Sequence, residues 1–436
     1  MNDMKKWVLI SFVLVISFLT ACQSADPLDL SQSPPTDNPE SNPAEETAPK
    51  DSGSPNDDQS SFIEDEQEQD PIIQQLEQMT LKQKIGQLFV VGFDGLTPND
   101  QIKTLIQKHH VGGIILFSRN IETSKQLLQL TNDLKQLNQS NQIPLFISVD
   151  EEGGRVSRLP SNATKFPSNL FIGGKGNPVL THDIGLVIGN ELAAHGFNMD
   201  YAPVFDVFSN PQNTVIGDRA YGTTPEIVKE HGNALMFGLQ KSNVIPVVKH
   251  FPGHGDTIID SHKGLPVVHK TVEQLKEMEL QPFQGAIQEG ADVVMVAHIQ
   301  YPNIDGSGKP ASLSKTIITE LLRNEMDFQG VVITDDMEMG AIKKYYGAGE
   351  AAVYAVQAGV DLLLYSHQYD LQLEAIQSIE VAVETGEISL QQLNERVERI
   401  LRLKEKYHLN DYPLSEAGLE IIGSEEHQAV RDQLMD

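Results

Sequence analysis

From about residue 71 onward, short apolar runs alternate with stretches of helical periodicity. The runs cover 88–93, 113–117, 145–149, 198–202, 245–248, 293–297, 331–334 and 360–365, which makes eight. They are rich in Val and Ile and carry few polar positions, the pattern of strands buried on both faces. Between them, 124–138, 184–195, 225–241, 272–289, 314–326 and 349–358 repeat apolar residues at helical spacing. Ser314 suits an N-cap and Pro225 a first helical turn. Gly196 and Gly290 suit helix ends. Helices over 371–406 would close the body. Eight strand–helix units in this length predict an α/β fold, a (β/α)8 TIM-type barrel forming a single catalytic domain over 71–410, with 411–436 as a C-terminal tail. A doubly wound open sheet is the alternative the pattern leaves open.

Residues 1–70 follow different rules. Lys5 and Lys6 precede an unbroken run of apolar residues and serines from 7 to 19, too short for a membrane span of about 20 residues and suited to a signal core. Leu19-Thr20-Ala21-Cys22 resembles the lipobox of bacterial lipoproteins. Cys22 is the only cysteine of the chain, so no intramolecular disulfide can form, and 1–22 is expected to be a lipoprotein signal with Cys22 as the lipidation site. Residues 23–70 hold 14 Asp or Glu, one Lys, seven Pro and one aromatic, Phe62. Such a segment cannot bury enough apolar surface to offset its ordering entropy, and it is expected to be a disordered tether. Its reach would be about 40 Å, extended by like-charge repulsion. The location implied is extracytoplasmic, held to the membrane by a lipid. A net charge of −29 argues against nucleic acid as a partner.

Polar residues gather where the runs end. Asp150 follows the third, Asp206 the fourth, Lys249 and His250 the fifth, His298 the sixth, and Asp335 and Asp336 the seventh. In a (β/α)8 barrel these positions share one face, where the chemistry sits. The stretch KHFPGHGDTIIDSHKGLP (249–266) after the fifth run contains His250, His254 and His262. The His250–His254 spacing is that of a zinc pair on a helix, but Pro252, Gly253 and Gly255 oppose a helix there, so neither a metal nor any other cofactor is expected. Asp260-Ser261-His262 offers a carboxylate beside an imidazole, which can fix the ring's tautomer and let it exchange protons near neutral pH. The tripeptide alone equally fits a solvated surface pair.

Taken together, KHFPGHGDTIIDSHKGLP, DEEGGRVSRL, VIGDRAYG and ITDDMEMGA resemble bacterial β-N-acetylglucosaminidases of glycoside hydrolase family 3. The resemblance covers roughly 71–410. It implies Asp335 as nucleophile, with Asp336 as the near alternative, and a His262–Asp260 pair as general acid/base. It also implies sugar-binding roles for Asp150, Arg158, Arg219, Lys249 and His250. The second α/β domain that many members carry is not expected. The activity implied is retaining, exo-acting hydrolysis of terminal β-linked N-acetylglucosamine from cell-wall (peptidoglycan-derived, muropeptide-like) fragments. A β-glucosidase, a phosphorylase of the same family and a non-catalytic sugar-binding lipoprotein are the alternatives.

Overall fold

The computed structural model describes residues 70–257, 261 and 264–435. The expectations for 1–69, for Asp260 and for His262 lie outside these residues. The described residues contain eight strands: β1 (Phe89–Val91), β2 (Gly113–Ile115), β3 (Phe146–Val149), β4 (Met199–Asp200), β5 (Ile245–Phe251), β6 (Val293–Val296), β7 (Val331–Thr334) and β8 (Leu363–Tyr365). Each pairs in parallel with the next, in registers such as Val90↔Gly113, Ile114↔Ile147 and Val294↔Val332. The ring closes where Phe89 pairs with Leu363 and Ile333 bridges to Leu362. The eight apolar runs are therefore the staves of a closed (β/α)8 barrel, and the open sheet is excluded. Gly113 is small for a reason: a Cβ there would lie 2.7 Å from the Cβ of Phe146, which fills the space instead.

The helices follow the pattern with three adjustments. Ser124–Asn138 and Pro225–Lys241 match their expected limits, with Pro225 in the first turn. Gly196 (φ +90) and Gly290 (φ +87) adopt the left-handed conformation expected at helix ends. The helix expected over 184–195 starts earlier, at Pro178, capped by Asn177 accepting from the Leu180 amide at 3.2 Å. The helix expected over 272–289 is two, Val272–Glu277 and Leu280–Gln288. It breaks at Met278, four residues before Pro282, which has no N–H for a helical bond to the Met278 carbonyl; beside the break the Glu279 carboxylate meets Lys270, 2.5 Å away. Ser314 does accept from the Ile317 amide at 3.2 Å, but Thr316–Glu325 winds wider than an α-helix.

One end of the barrel is sealed. Lys404, from the helix Leu390–Lys406, is buried under it. Its ammonium donates to Gln87 Oε1 (2.8 Å), Gly112 O (2.9 Å) and Pro144 O (2.6 Å), groups that precede β1, β2 and β3. Three acceptors match its three N–H groups. The same nitrogen sits 4.5 Å from the Phe146 ring centroid.

Residues 411–435 pack back onto the body through Glu191. Its buried carboxylate accepts from the Thr164 amide and hydroxyl (2.9 and 2.7 Å), the Gly423 amide (2.9 Å) and His427 Nδ1 (2.9 Å). This ties the C-terminal helix Glu425–Asp432 to the loop that follows β3.

Candidate active site

At the other end of the barrel lies a cavity of about 350 Å³. Asp150, Arg158, Arg219, Lys249, His250, Asp335 and Asp336 all line it. Asp206 and His298 do not line it; both are fully buried behind it.

The wall from β3 to β5 is an ionic cluster. Lys249, extended from β5, contacts Asp150 Oδ1 and Glu152 Oε1, each at 2.7 Å. Arg219 grips both Glu152 oxygens, Nε to Oε2 at 2.8 Å and Nη2 to Oε1 at 2.7 Å. Burial would raise the Glu152 pKa, but Arg219 and Lys249 outweigh it and hold the carboxyl well below its ordinary range. Arg219 Nη2 also lies 3.3 Å from His250 Nε2. A guanidinium can only donate, so Nε2 accepts, and Nδ1–H donates to Asp206 Oδ2 at 2.6 Å. Asp206 is thus the group that orients His250. Burial opposes ionisation of Asp206, and His250 and the His254 amide overcome it and lower its pKa.

Arg158 reaches the cavity from a loop held by Glu151, whose Oε2 accepts the Arg158 and Leu159 amides at 2.5 and 2.9 Å. Beneath it Asp200 accepts the Glu151 amide at 2.9 Å. Burial pushes the Asp200 carboxyl pKa well up, and its second oxygen has no partner.

The opposite wall comes from β7 and β8. Asp335 begins where β7 ends, its amide donating to Val296 O at 3.0 Å. Asp335 Oδ1 accepts the Asp336 amide at 2.8 Å. Asp336 turns the other way: Oδ1 accepts the Glu338 and Ser366 amides (3.1 and 3.3 Å), and Oδ2 meets His367 Nε2 at 3.3 Å. His298 supports this segment from below. Its Nε2–H donates to Asp336 O at 3.0 Å, which leaves Nδ1 to accept from the Ser312 hydroxyl at 2.6 Å. Ser261, between Asp260 and His262 in sequence, also lines the cavity. So does His254, whose pKa burial and the neighbouring His250 lower to about 4.

The sequence reading missed Glu152, Phe117 and His367. Glu152 sits in the quoted DEEGG stretch, and only its distant partners reveal its part. Phe117 and His367 stack at the cavity edge with ring centroids 5.4 Å apart. Among the described residues, no group of three or more His, Cys, Asp or Glu is placed to hold a metal ion.

A buried cluster of paired charges facing a strand-end carboxylate, at the top of a parallel barrel, is the layout of a barrel enzyme's active site. Residues 80–403 match the glycosyl hydrolase family 3 N-terminal domain, and the chain belongs to that family. It is 35% identical over 361 residues to the β-hexosaminidase A of Pseudoalteromonas piscicida, covering 77% of this chain and 60% of that protein's length. It is also 35% identical over 330 residues to a β-hexosaminidase of Nitrosomonas eutropha, covering 71% of this chain and 92% of the relative. A solved family 3 β-N-acetylglucosaminidase from Paenibacillus sp. str. FPU-7 superposes with a TM-score of 0.79 at 43% identity, over 82% of this chain and 68% of that one.

Proposed function

We propose that the chain is a retaining, exo-acting β-N-acetylglucosaminidase that removes terminal N-acetylglucosamine from peptidoglycan-derived fragments. The observation that carries this reading is the convergence, in one cavity of a family 3 barrel, of Asp335 with the Asp150–Lys249–Glu152–Arg219–His250 cluster. The sugar specificity rests on the likeness to the Paenibacillus enzyme and the two β-hexosaminidases.

In this reading Asp335 attacks the anomeric carbon and forms a glycosyl-enzyme. His262 donates a proton to the departing oxygen, then takes one from the incoming water, while Asp260 stabilises the imidazolium. The likeness to family 3 favours Asp335 over Asp336; Asp336 accepts the Glu338 and Ser366 amides and pairs with His367. Asp150, Lys249, His250, Arg158 and Arg219 bind the terminal sugar. Their charge-assisted hydrogen bonds, formed with little water present, are the strong kind. Lipidation at Cys22 would hold the enzyme outside the cytoplasmic membrane, where such fragments arise.

The test is parallel hydrolysis of aryl β-N-acetylglucosaminide and aryl β-glucoside, with and without phosphate. The expected result is faster release from the N-acetyl sugar, with free N-acetylglucosamine as product. Preference for the glucoside, or a sugar phosphate as the main product, would overturn the reading.

A further inference from the structure

The edge of the cavity carries a pair of rings that no step above uses. Phe117 follows β2 and His367 follows β8, and both line the cavity. Their ring planes are 29° apart and their centroids 5.4 Å apart. Arg119 binds the two together. Its guanidinium carbon sits 4.4 Å from the Phe117 ring centroid, and its Nη2 donates at 2.6 Å to the carbonyl of Ser366, the residue before His367. Its Nε donates to Phe93 O at 3.1 Å, which moors the pair to the chain just after β1. His367 has anchors of its own. Its amide donates to Glu338 Oε1 at 2.7 Å, and its Nε2 meets Asp336 Oδ2 at 3.3 Å. The His367 side chain is nonetheless 48% exposed. A ring held by its amide, its Nε2 and its neighbour's ring, yet open to solvent, is ordered before any ligand arrives.

Depth decides what such a surface receives. The wall from β3 to β5 is buried, with the Lys249 and Glu152 side chains 2% and 1% exposed. An exo-acting enzyme takes the tip of its substrate deepest, so the terminal sugar meets that wall and the next sugar lies nearer the mouth. Phe117 and His367 stand at the mouth. A pyranose ring has a face of C–H groups inside its rim of hydroxyls, and a flat ring surface matches that face. We propose that the Phe117–His367 pair is a binding platform for the sugar on the leaving side of the bond that is cut. The proposal rests on the reading of the chain as an exo-acting N-acetylglucosaminidase. In it His367 presents the ring surface, while Phe117, Arg119 and the bond to Asp336 set its tilt. These anchors remove the entropy loss that ordering a free ring would add to binding.

The experiment compares His367→Ala, His367→Gln and His367→Phe with the parent on two substrates, N,N′-diacetylchitobiose and methyl β-N-acetylglucosaminide. Both leaving groups are alkoxides that need a proton, so the substrates make the same demand on an acid and differ in the second ring. His367→Gln keeps a donor for Asp336 and loses the ring; His367→Phe keeps a ring and loses the donor. The quantity read is kcat/KM on the disaccharide divided by kcat/KM on the methyl glycoside, from released N-acetylglucosamine. His367→Ala and His367→Gln should lower this ratio about 5- to 10-fold, and His367→Phe should hold it within about twofold. Equal losses on both substrates, or a ratio that falls in His367→Phe as far as in His367→Ala, would overturn the platform. If the parent cleaves both substrates and the ratio survives all three substitutions, the platform fails alone. If the parent cleaves neither, the functional reading fails and takes the platform with it.

Discussion

Lys249 and Glu152 meet at 2.7 Å with their side chains 2% and 1% exposed, so neither charge can be repaid by solvent. Glu152 also carries the bidentate bond from Arg219, so one carboxylate answers two cations. Removing one member of such a cluster costs about 3–5 kcal/mol, mostly as unpaired buried charge. Glu152→Gln keeps the shape and drops the charge. It should lower stability by that amount and raise KM, since Lys249 and Arg219 lose their fixed positions. Thermal unfolding and steady-state kinetics check both.

The same pair sets a pH dependence. The folded pKa of Glu152 lies below its unfolded value near 4.5. Its contribution is therefore complete above about pH 4.5 and is lost as pH falls toward the folded value. Asp200 and Glu151 act in the opposite sense, because burial raises their folded pKa and favours folding in acid. The difference between parent and Glu152→Gln stability curves isolates the first effect. That difference should shrink as pH drops below about 4.5. A difference constant from pH 3 to 7 would contradict the assignment.

Asp335→Ala should lower turnover of aryl N-acetylglucosaminides by about 10⁴-fold or more, as loss of a nucleophile does elsewhere. Asp336→Asn should keep activity within about tenfold and reduce stability by about 1 kcal/mol, because its carboxylate accepts the Glu338 amide of its own loop and the Ser366 amide just after β8. Kinetics of the two variants side by side make the distinction; reversed phenotypes would exchange their roles.

Glu191→Ala strips partners from Thr164, Gly423 and His427 at once. Unpaired buried donors should cost at least about 2 kcal/mol. Hydrogen exchange should quicken in both the Thr164 loop and the C-terminal helix, and unchanged protection in either would disprove the tie.

Cys22→Ser should move the protein from the membrane fraction to the soluble fraction or medium. Fractionation with an activity assay decides it; retention on the membrane would mean that Cys22 is not the anchor.

The barrel was legible because strands covered on both faces leave near-continuous apolar runs, and eight of them survive as β1 to β8. The stretch 272–289 splits at Met278, four residues before Pro282, which has no N–H to give the Met278 carbonyl; the break was written in the sequence and the apolar spacing hid it. In the cavity, Asp150, Lys249, His250, Asp335 and Asp336 could be found from their places after apolar runs. Glu152 could not, since one of two adjacent glutamates in a glycine loop looks like any surface carboxylate until Arg219 folds over it. His254 gave as little away: its partners Thr257 and Ser261 are small hydroxyls that carry no signal of their own.

Lys404 belongs to the packed floor of the barrel, at the opposite end from the cavity that Asp335 lines. The shape of that cavity is therefore set by the strand ends and by the loops above them, and changes in the floor would act on the fold before they act on the site.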